Sequence, residues 1–245
     1  MAKRTALGYT GLVGTVVLYE INGKQYMRSR PVSRNAKTNK ATTARRELFG
    51  KVSKYGSSLI KAMKGKVLFP FSLGTYNAVR GWMRNEYAAH EETEPWPLVA
   101  KNNQMSQLNP ETDLRNFLEV NLSVKDEGSG VVSITVPAMN PARNVKAPMR
   151  TVKINMKMMV LSRPFRESLV TEFLHMQSYT FMYKNKMLPE KVFSIDTEPV
   201  EGIATGNIAL VAIALEFETT DLGPGIYNTE KRWLPAAIIA MGKLT

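Results

Sequence analysis

The spacing of apolar residues changes along this chain, and three regimes follow one another. Residues 12–19, LVGTVVLY, read as a strand with apolar side chains on both sides. Val13, Thr15, Val17 and Tyr19 point one way, and Leu12, Gly14, Val16 and Leu18 the other. Residues 25–30 read as a second strand, and Asn22-Gly23 between them is a strong hairpin signal, because a tight turn there needs positive φ. A free hairpin of this kind leaves an apolar face in water. The pattern therefore predicts that the first strand is sandwiched within this chain or covered by another.

After a polar connector, PVSRNAKTNK, the period becomes helical. Asn39 is a plausible cap, and Ala41, Ala44, Leu48, Val52, Tyr55, Leu59 and Met63 form one stripe at spacings of three and four. Gly50 and Gly56 weaken this helix, and Gly56 marks a point where it could break. A second helix starts at Ser72 and carries Leu73, Tyr76, Ala78, Val79, Trp82, Met83 and Tyr87 on a broad apolar face. It ends near HEETEPWP, where two prolines forbid continuation. A short helical turn is expected at Asn109-Pro110-Glu111.

From about residue 115 the period is two. Segments 117–124, 130–138, 150–161, 176–183, 192–196, 207–219 and 236–244 read as strands, separated by turn clusters such as DEGSG and DLGPG. In 150–161, Val152, Ile154, Met156 and Met158 alternate with Lys153, Asn155 and Lys157, giving one dry and one wet face. The predicted fold is α+β and mainly β: an antiparallel β-sandwich or Greek-key domain with an N-terminal β-hairpin and a two-helix insertion. Its expected parts are a hairpin and basic connector over 1–38, a helical segment over 39–114 (helices about 39–64 and 72–89) and an antiparallel β domain over 115–245, with which 1–38 can form one domain.

Charge sharpens this division. The chain of 245 residues carries a formal +12, but residues 1–66 hold 15 Lys or Arg against Glu20 and Glu47 alone, leaving +13 there and −1 over 67–245. Such asymmetry suits a polyanion, an acidic neighbour or a solvated basic face. There is no cysteine, which excludes disulfides, thiolate metal sites and cysteine nucleophiles. No run is long and apolar enough for a membrane helix. The basic, apolar N-terminus has the outline of a signal peptide, but Gly8, Gly11 and Gly14 interrupt it and no small-x-small site follows. The expected location is a virion or the bacterial cytoplasm, with no membrane contact.

Catalytic chemistry finds little support. The two histidines, His90 and His175, are far apart in sequence, and the HEETE run lacks the spacing of a helical zinc pair. Gly8, Gly11 and Gly14 follow no strand and open no helix, so a dinucleotide fingerprint fails. Glu198 with Glu201, or Glu216 with Glu218, could supply paired carboxylates, but their sequence context reads as surface acid. The chain is expected not to be an enzyme and to need no cofactor or metal. Its 14 methionines suit core filling or an adaptable interface.

One resemblance stands out. Gly11, Val13, Gly14, Val16, Val17, Gly23, Lys24, Arg28, Ser29 and Pro31, followed by Asn35, Ala41, Ala44, Arg46 and Phe49, resemble the opening of a Bacteroidota domain-of-unknown-function family. That pattern is a Gly-x-Val-Gly-x-Val-Val strand, a Gly-Lys turn, an Arg-Ser-x-Pro stop, an Asn-rich segment and a helix. Thr42 replaces its usual glutamine, and Glu20-Ile21 its usual aromatic. The likeness covers about residues 8–50. It implies a fold habit and a bacterial or phage source, but no mechanism.

These features point to a non-enzymatic structural or assembly subunit, expected in a bacteriophage or phage-derived particle. It would form a homo-oligomer or join other structural subunits through Leu12, Val13, Val16, Val17, Leu18 and Tyr19. Arg28, Arg30, Arg34, Arg45, Arg46, Lys51, Lys54 and Lys61 are the candidate contacts to a polyanion or partner. The alternative is a sequence-tolerant nucleic-acid-binding protein using the basic 24–66 region. A carbohydrate-binding sandwich using Trp82, Trp96 or Trp233 is a third reading.

Overall fold

The computed structural model describes residues 3–5, 8–21, 24–29, 40–68, 71–90, 96–164, 174–197 and 207–244. The chain divides into two compact units, Met1–Thr43 and Ala44–Thr245.

The first unit is an antiparallel meander in the order β1 (Lys3–Thr5), β2 (Gly8–Val13), β3 (Val16–Ile21) and β4 (Lys24–Ser29). Residues 12–19 do not form the single strand expected from their pattern. Val13 pairs with Val16, and Gly14-Thr15 make a two-residue turn between β2 and β3. Gly14 has φ +59°, a left-handed conformation that costs glycine nothing because it lacks a Cβ. The extra turn exchanges Leu12 and Val13 between faces. Leu12, Val17 and Tyr19 share one side, and Val13, Val16 and Leu18 the other. The Asn22-Gly23 turn itself lies outside the described residues, and β3 and β4 pair on either side of it with Ile21 opposite Lys24.

The second unit begins with two helices, α1 (Lys40–Met63) and α2 (Leu73–His90). The expected Asn39 cap lies outside the described residues. Within α1 the stripe Val52, Tyr55, Leu59 and Met63 is buried, as its spacing requires. The helix continues through Gly56 without a break, because α2 packs there: a Cβ on Gly56 would meet Arg80, Val79 and Met83 at ordinary contact distance. Ser72 caps α2, its Oγ accepting the Thr75 N–H at 3.1 Å.

Eight strands follow: β5 (Ser106–Gln107), β6 (Ser123–Asp126), β7 (Val131–Val136), β8 (Thr151–Pro164), β9 (Leu174–Met182), β10 (Lys191–Asp196), β11 (Asn207–Thr219) and β12 (Ala236–Lys243). A one-turn helix, α3 (Pro141–Asn144), separates β7 from β8. Five strands form one antiparallel sheet, β5-β12-β11-β8-β9, and three form another, β10-β7-β6. The long strands β8 and β11 pair from Asn207 opposite Pro164 to Thr219 opposite Thr151.

Both faces of the five-stranded sheet are covered over β8, β11 and β12, while the edge strand β9 is largely exposed. Ile154, Met156, Met158, Val211, Ile213 and Phe217 meet Val132, Ile134, Phe193 and Ile195 of the smaller sheet, which makes a sandwich. On the other face, Met159, Leu161, Leu210, Ala212, Ile238 and Met241 pack with Val52, Tyr55, Leu59, Met63, Val79 and Met83 of the helices. Tyr55 donates its hydroxyl to the carbonyl of Ile208 and pins α1 to this face. The unit is therefore helix, sheet, sheet, and the fold is α+β and mainly β.

The expected strand over 117–124 is replaced in part. Asp113 accepts the Arg115 N–H at 3.0 Å and caps a 3-10 turn, Leu114–Asn116. Leu114, Phe117 and Leu118 enter the core from this turn, not by alternation along a strand. The helical turn expected at Asn109-Pro110-Glu111 is an Asn-anchored turn: Asn109 Oδ1 accepts the Glu111 N–H at 3.1 Å.

Two glycines give opposite expectations. A Cβ on Gly242 would lie 2.6 Å from Leu98 Cα and N, and the Lys243 N–H donates to the Trp96 carbonyl alongside. Backbone cannot yield there as a side chain can. Gly242→Ala should lower stability by about 1–3 kcal/mol, whereas Gly56→Ala should raise it by up to about 1 kcal/mol through helix propensity. Urea unfolding of both variants checks the pair.

Candidate functional site

The N-terminal sheet carries the candidate contact residues. Cross-strand pairing puts Val17 and Arg28, Tyr19 and Tyr26, and Ile21 and Lys24 on one face, with Leu12 opposite Val17. Val16, Leu18, Val13 and Met27 lie on the other, together with Glu20 and Gln25. None of the described residues for which burial is assigned in this sheet is buried. Met27 is 72% exposed, Ile21 51% and Val13 50%. Val16, Val17, Leu18 and Tyr19 are half-buried, mostly among their own sheet neighbours. The Tyr19 and Tyr26 rings stack at 5.7 Å and 20°, and the Arg28 guanidinium sits 5.6 Å from the Tyr19 ring centre.

The basic residues divide between elements. Arg28 is on β4, and Arg45, Arg46, Lys51, Lys54 and Lys61 are all exposed on α1. Arg30 and Arg34 lie outside the described residues. In α1, residues 44–47 are exposed on every side, and Phe49 is exposed as well.

The sequence pattern missed one polar cluster. The expected wet face of β8 is only partly wet: Asn155 is buried and Lys157 half-buried, while the Lys153 side chain is 42% exposed. Glu216 and Glu218 are only 3% and 5% exposed and share the helix-side face of the sheet with Asn155, Lys153 and Lys157. Lys157 Nζ donates to Glu216 Oε1 at 2.6 Å and to the Lys66 carbonyl at 2.7 Å. Asn155 Nδ2 donates to Glu216 Oε2 at 3.1 Å, and Thr180 donates to Asn155 Oδ1 at 3.2 Å. Lys153 pairs with Glu218 at 3.4 Å. The signal available was the period-two alignment of acids on β11 with lysines on β8. Both carboxylates are thus neutralised and sealed from solvent, which fits a structural ion network and leaves no access for a sugar.

The remaining chemical candidates have structural settings too. His90 ends α2, lies flat against Trp96 with ring centres 5.4 Å apart, and has Nδ1 2.8 Å from the Glu86 carbonyl. His175 is on β9, with Nε2 buried and unbonded. Glu198 and Glu201 lie outside the described residues. Among the described residues, no group of three His, Asp or Glu could hold a metal ion. Trp96 is buried, Trp82 donates Nε1 to the Gln104 carbonyl at 2.7 Å, and Trp233 stands edge-on to Phe117. An open polar depression of about 450 Å³ is lined by Lys101, Asn102, Asn103, Gln104 and Asn121. Lys101 is committed to Glu86, and both polar atoms of the Asn102 side chain bond the Leu122 backbone. Among the described residues no helix is long and apolar enough to cross a membrane.

Compared with protein-family models, curated proteins and solved structures, the chain finds no match in any of the three. The site therefore stands on its geometry, and the Bacteroidota resemblance on the motif residues alone.

Breaking the buried network should be costly. Glu216→Ala leaves Lys157 and Asn155 without their carboxylate and should cost about 3–5 kcal/mol. Glu111→Ala removes only the exposed 3.8 Å pair with Lys231 and should stay within about 0.5 kcal/mol; urea midpoints compare the two. A pH effect follows from Tyr227, whose phenol is pushed above its ordinary 10.0 first by burial and then by Glu216 and Glu218. A raised folded-state value contributes stability below pH 10 that is lost as pH rises through it. Tyr227→Phe should therefore lose less stability than the native chain above pH 10, as measured by alkaline denaturation.

Proposed function

We propose that this protein is a non-enzymatic structural subunit that self-associates through its N-terminal sheet, with a bacteriophage or phage-derived particle as its setting. The observation that carries this reading is the contrast between the two units. The large unit covers both faces of the central strands of its main sheet, β8, β11 and β12. The small one leaves Val13, Ile21, Tyr26 and Met27 exposed. Of these, Val13 and Met27 share one face; full burial of each such side chain stabilises by about 1.5–3 kcal/mol, so a second copy laid against that face gains what an isolated chain forgoes. Within β2–β4 the face with Val13, Val16, Leu18 and Met27 carries Glu20 and no cation, which makes it the more suitable contact between identical chains. Main-chain groups on the outer edge of β4 can extend the contact by strand pairing.

Met27→Glu tests this cleanly, because Met27 is already in water and its replacement should change the stability of the isolated chain by no more than about 0.5 kcal/mol. Light scattering after size exclusion should show the native chain as an oligomer and Met27→Glu with association weakened at least about tenfold, the equivalent of 1.4 kcal/mol. A native chain that stays monomeric at high concentration contradicts the proposal.

A further inference from the structure

Charge is sorted between the two faces of the β2–β4 part of the small sheet. Among the described residues of β2, β3 and β4 the charged ones are Glu20, Lys24 and Arg28. Both cations share a face with Tyr19 and Tyr26, and Glu20 lies on the opposite side. Along β4 the order is Lys24, Tyr26, Arg28, each two residues apart, which places them roughly 6–7 Å from one another in a line. The two tyrosine rings are nearly parallel and stack on each other, with the Arg28 guanidinium over the Tyr19 ring; Tyr26 is the more open of the pair, 43% exposed.

We propose that this face, Lys24, Tyr26 and Arg28 on β4 with Tyr19 on β3, is a stacking platform for single-stranded nucleic acid. A base extends the tyrosine stack from the exposed Tyr26 ring, and phosphates meet the flanking lysine and guanidinium. The chemistry selects this occupant over others. A sugar would use the rings but has no need of the cations. A duplex would use the cations but keeps the faces of its bases stacked inside. An acidic peptide offers no planes to stack. Aromatic surface bounded by positive charge is the combination that single strands require. The surplus of +13 over residues 1–66 adds long-range attraction without sequence preference. The platform lies opposite the face proposed for self-association, so the two contacts are compatible and can be broken separately.

Fluorescence anisotropy of the full chain with labelled oligothymidylate and oligouridylate of about 16 nucleotides tests this. Binding to either is expected, weakening steeply between about 50 and 200 mM salt. Changing Tyr19→Ala and Tyr26→Ala together should weaken it at least about tenfold with the salt slope unchanged, since stacking is not ionic. Tyr19→Phe with Tyr26→Phe should restore it, which separates stacking from misfolding. Arg28→Ala should make the salt slope shallower. Met27→Glu should alter the oligomer while leaving the tyrosine dependence in place. The proposal is overturned by no binding at low salt, by alanine variants that bind like the native chain, or by equal, tyrosine-independent binding to duplex.

Discussion

A β-sheet has two faces, and an apolar face left in water forfeits about 25 cal/mol for each Å² it could have buried. The large unit obeys that constraint over β8, β11 and β12, whereas β9 at the sheet edge leaves Met176 and Met182 exposed. Its β8–β11 ladder presents Ile154, Met156, Ile213 and Phe217 to the smaller sheet, and Met159, Leu161, Leu210 and Ala212 to α1 and α2. Every other feature of the unit serves this double cover. Gly242 lets the 96–98 segment close over the end of β12, and Tyr55 fixes the helix layer to the Ile208 carbonyl. Where the helix-side face turns polar, Glu216 and Glu218 are matched by Lys157, Asn155 and Lys153, so burial there costs no unpaired charge.

The small unit breaks the same constraint, and its function is read from that departure. Four strands with no buried residue among those whose burial is assigned cannot supply much stability of their own. Their exposed apolar residues fall on both faces, Val13 and Met27 on one and Leu12, Ile21 and Tyr26 on the other, and grouped apolar surface marks a contact more often than a solvated one. The sorting of Lys24, Arg28 and the tyrosine pair away from Glu20 gives the two sides different chemistry, one suited to an identical neighbour and the other to a polyanion.

Much of the large unit was legible in the residues. Strand β11 was bounded as Asn207–Thr219 by its apolar run and flanking turns, and both helices by their stripes and by Ser72. Periodicity reports which side chains share a face, but not what lies over that face. Lys153, Asn155 and Lys157 therefore read as solvated although the structure buries their neighbours Glu216 and Glu218. Nor does a run of β-branched residues reveal a turn inside it. Gly14 read as a strand glycine, and only its positive φ shows a second hairpin that moves Leu12 and Val13 to opposite faces. At 117–124 the side chain of Asp113 won a local competition, capping a helical turn where alternation suggested a strand.

The proposed dependence of the small sheet on a second copy is tested most directly by amide hydrogen exchange of the full chain across a range of protein concentrations. Protection in Val16–Ile21 and Lys24–Ser29 should rise as the chain associates, while protection in Thr151–Pro164 and Asn207–Thr219 stays constant. Full protection of Val16–Ile21 and Lys24–Ser29 in a dilute, monomeric sample would contradict the account.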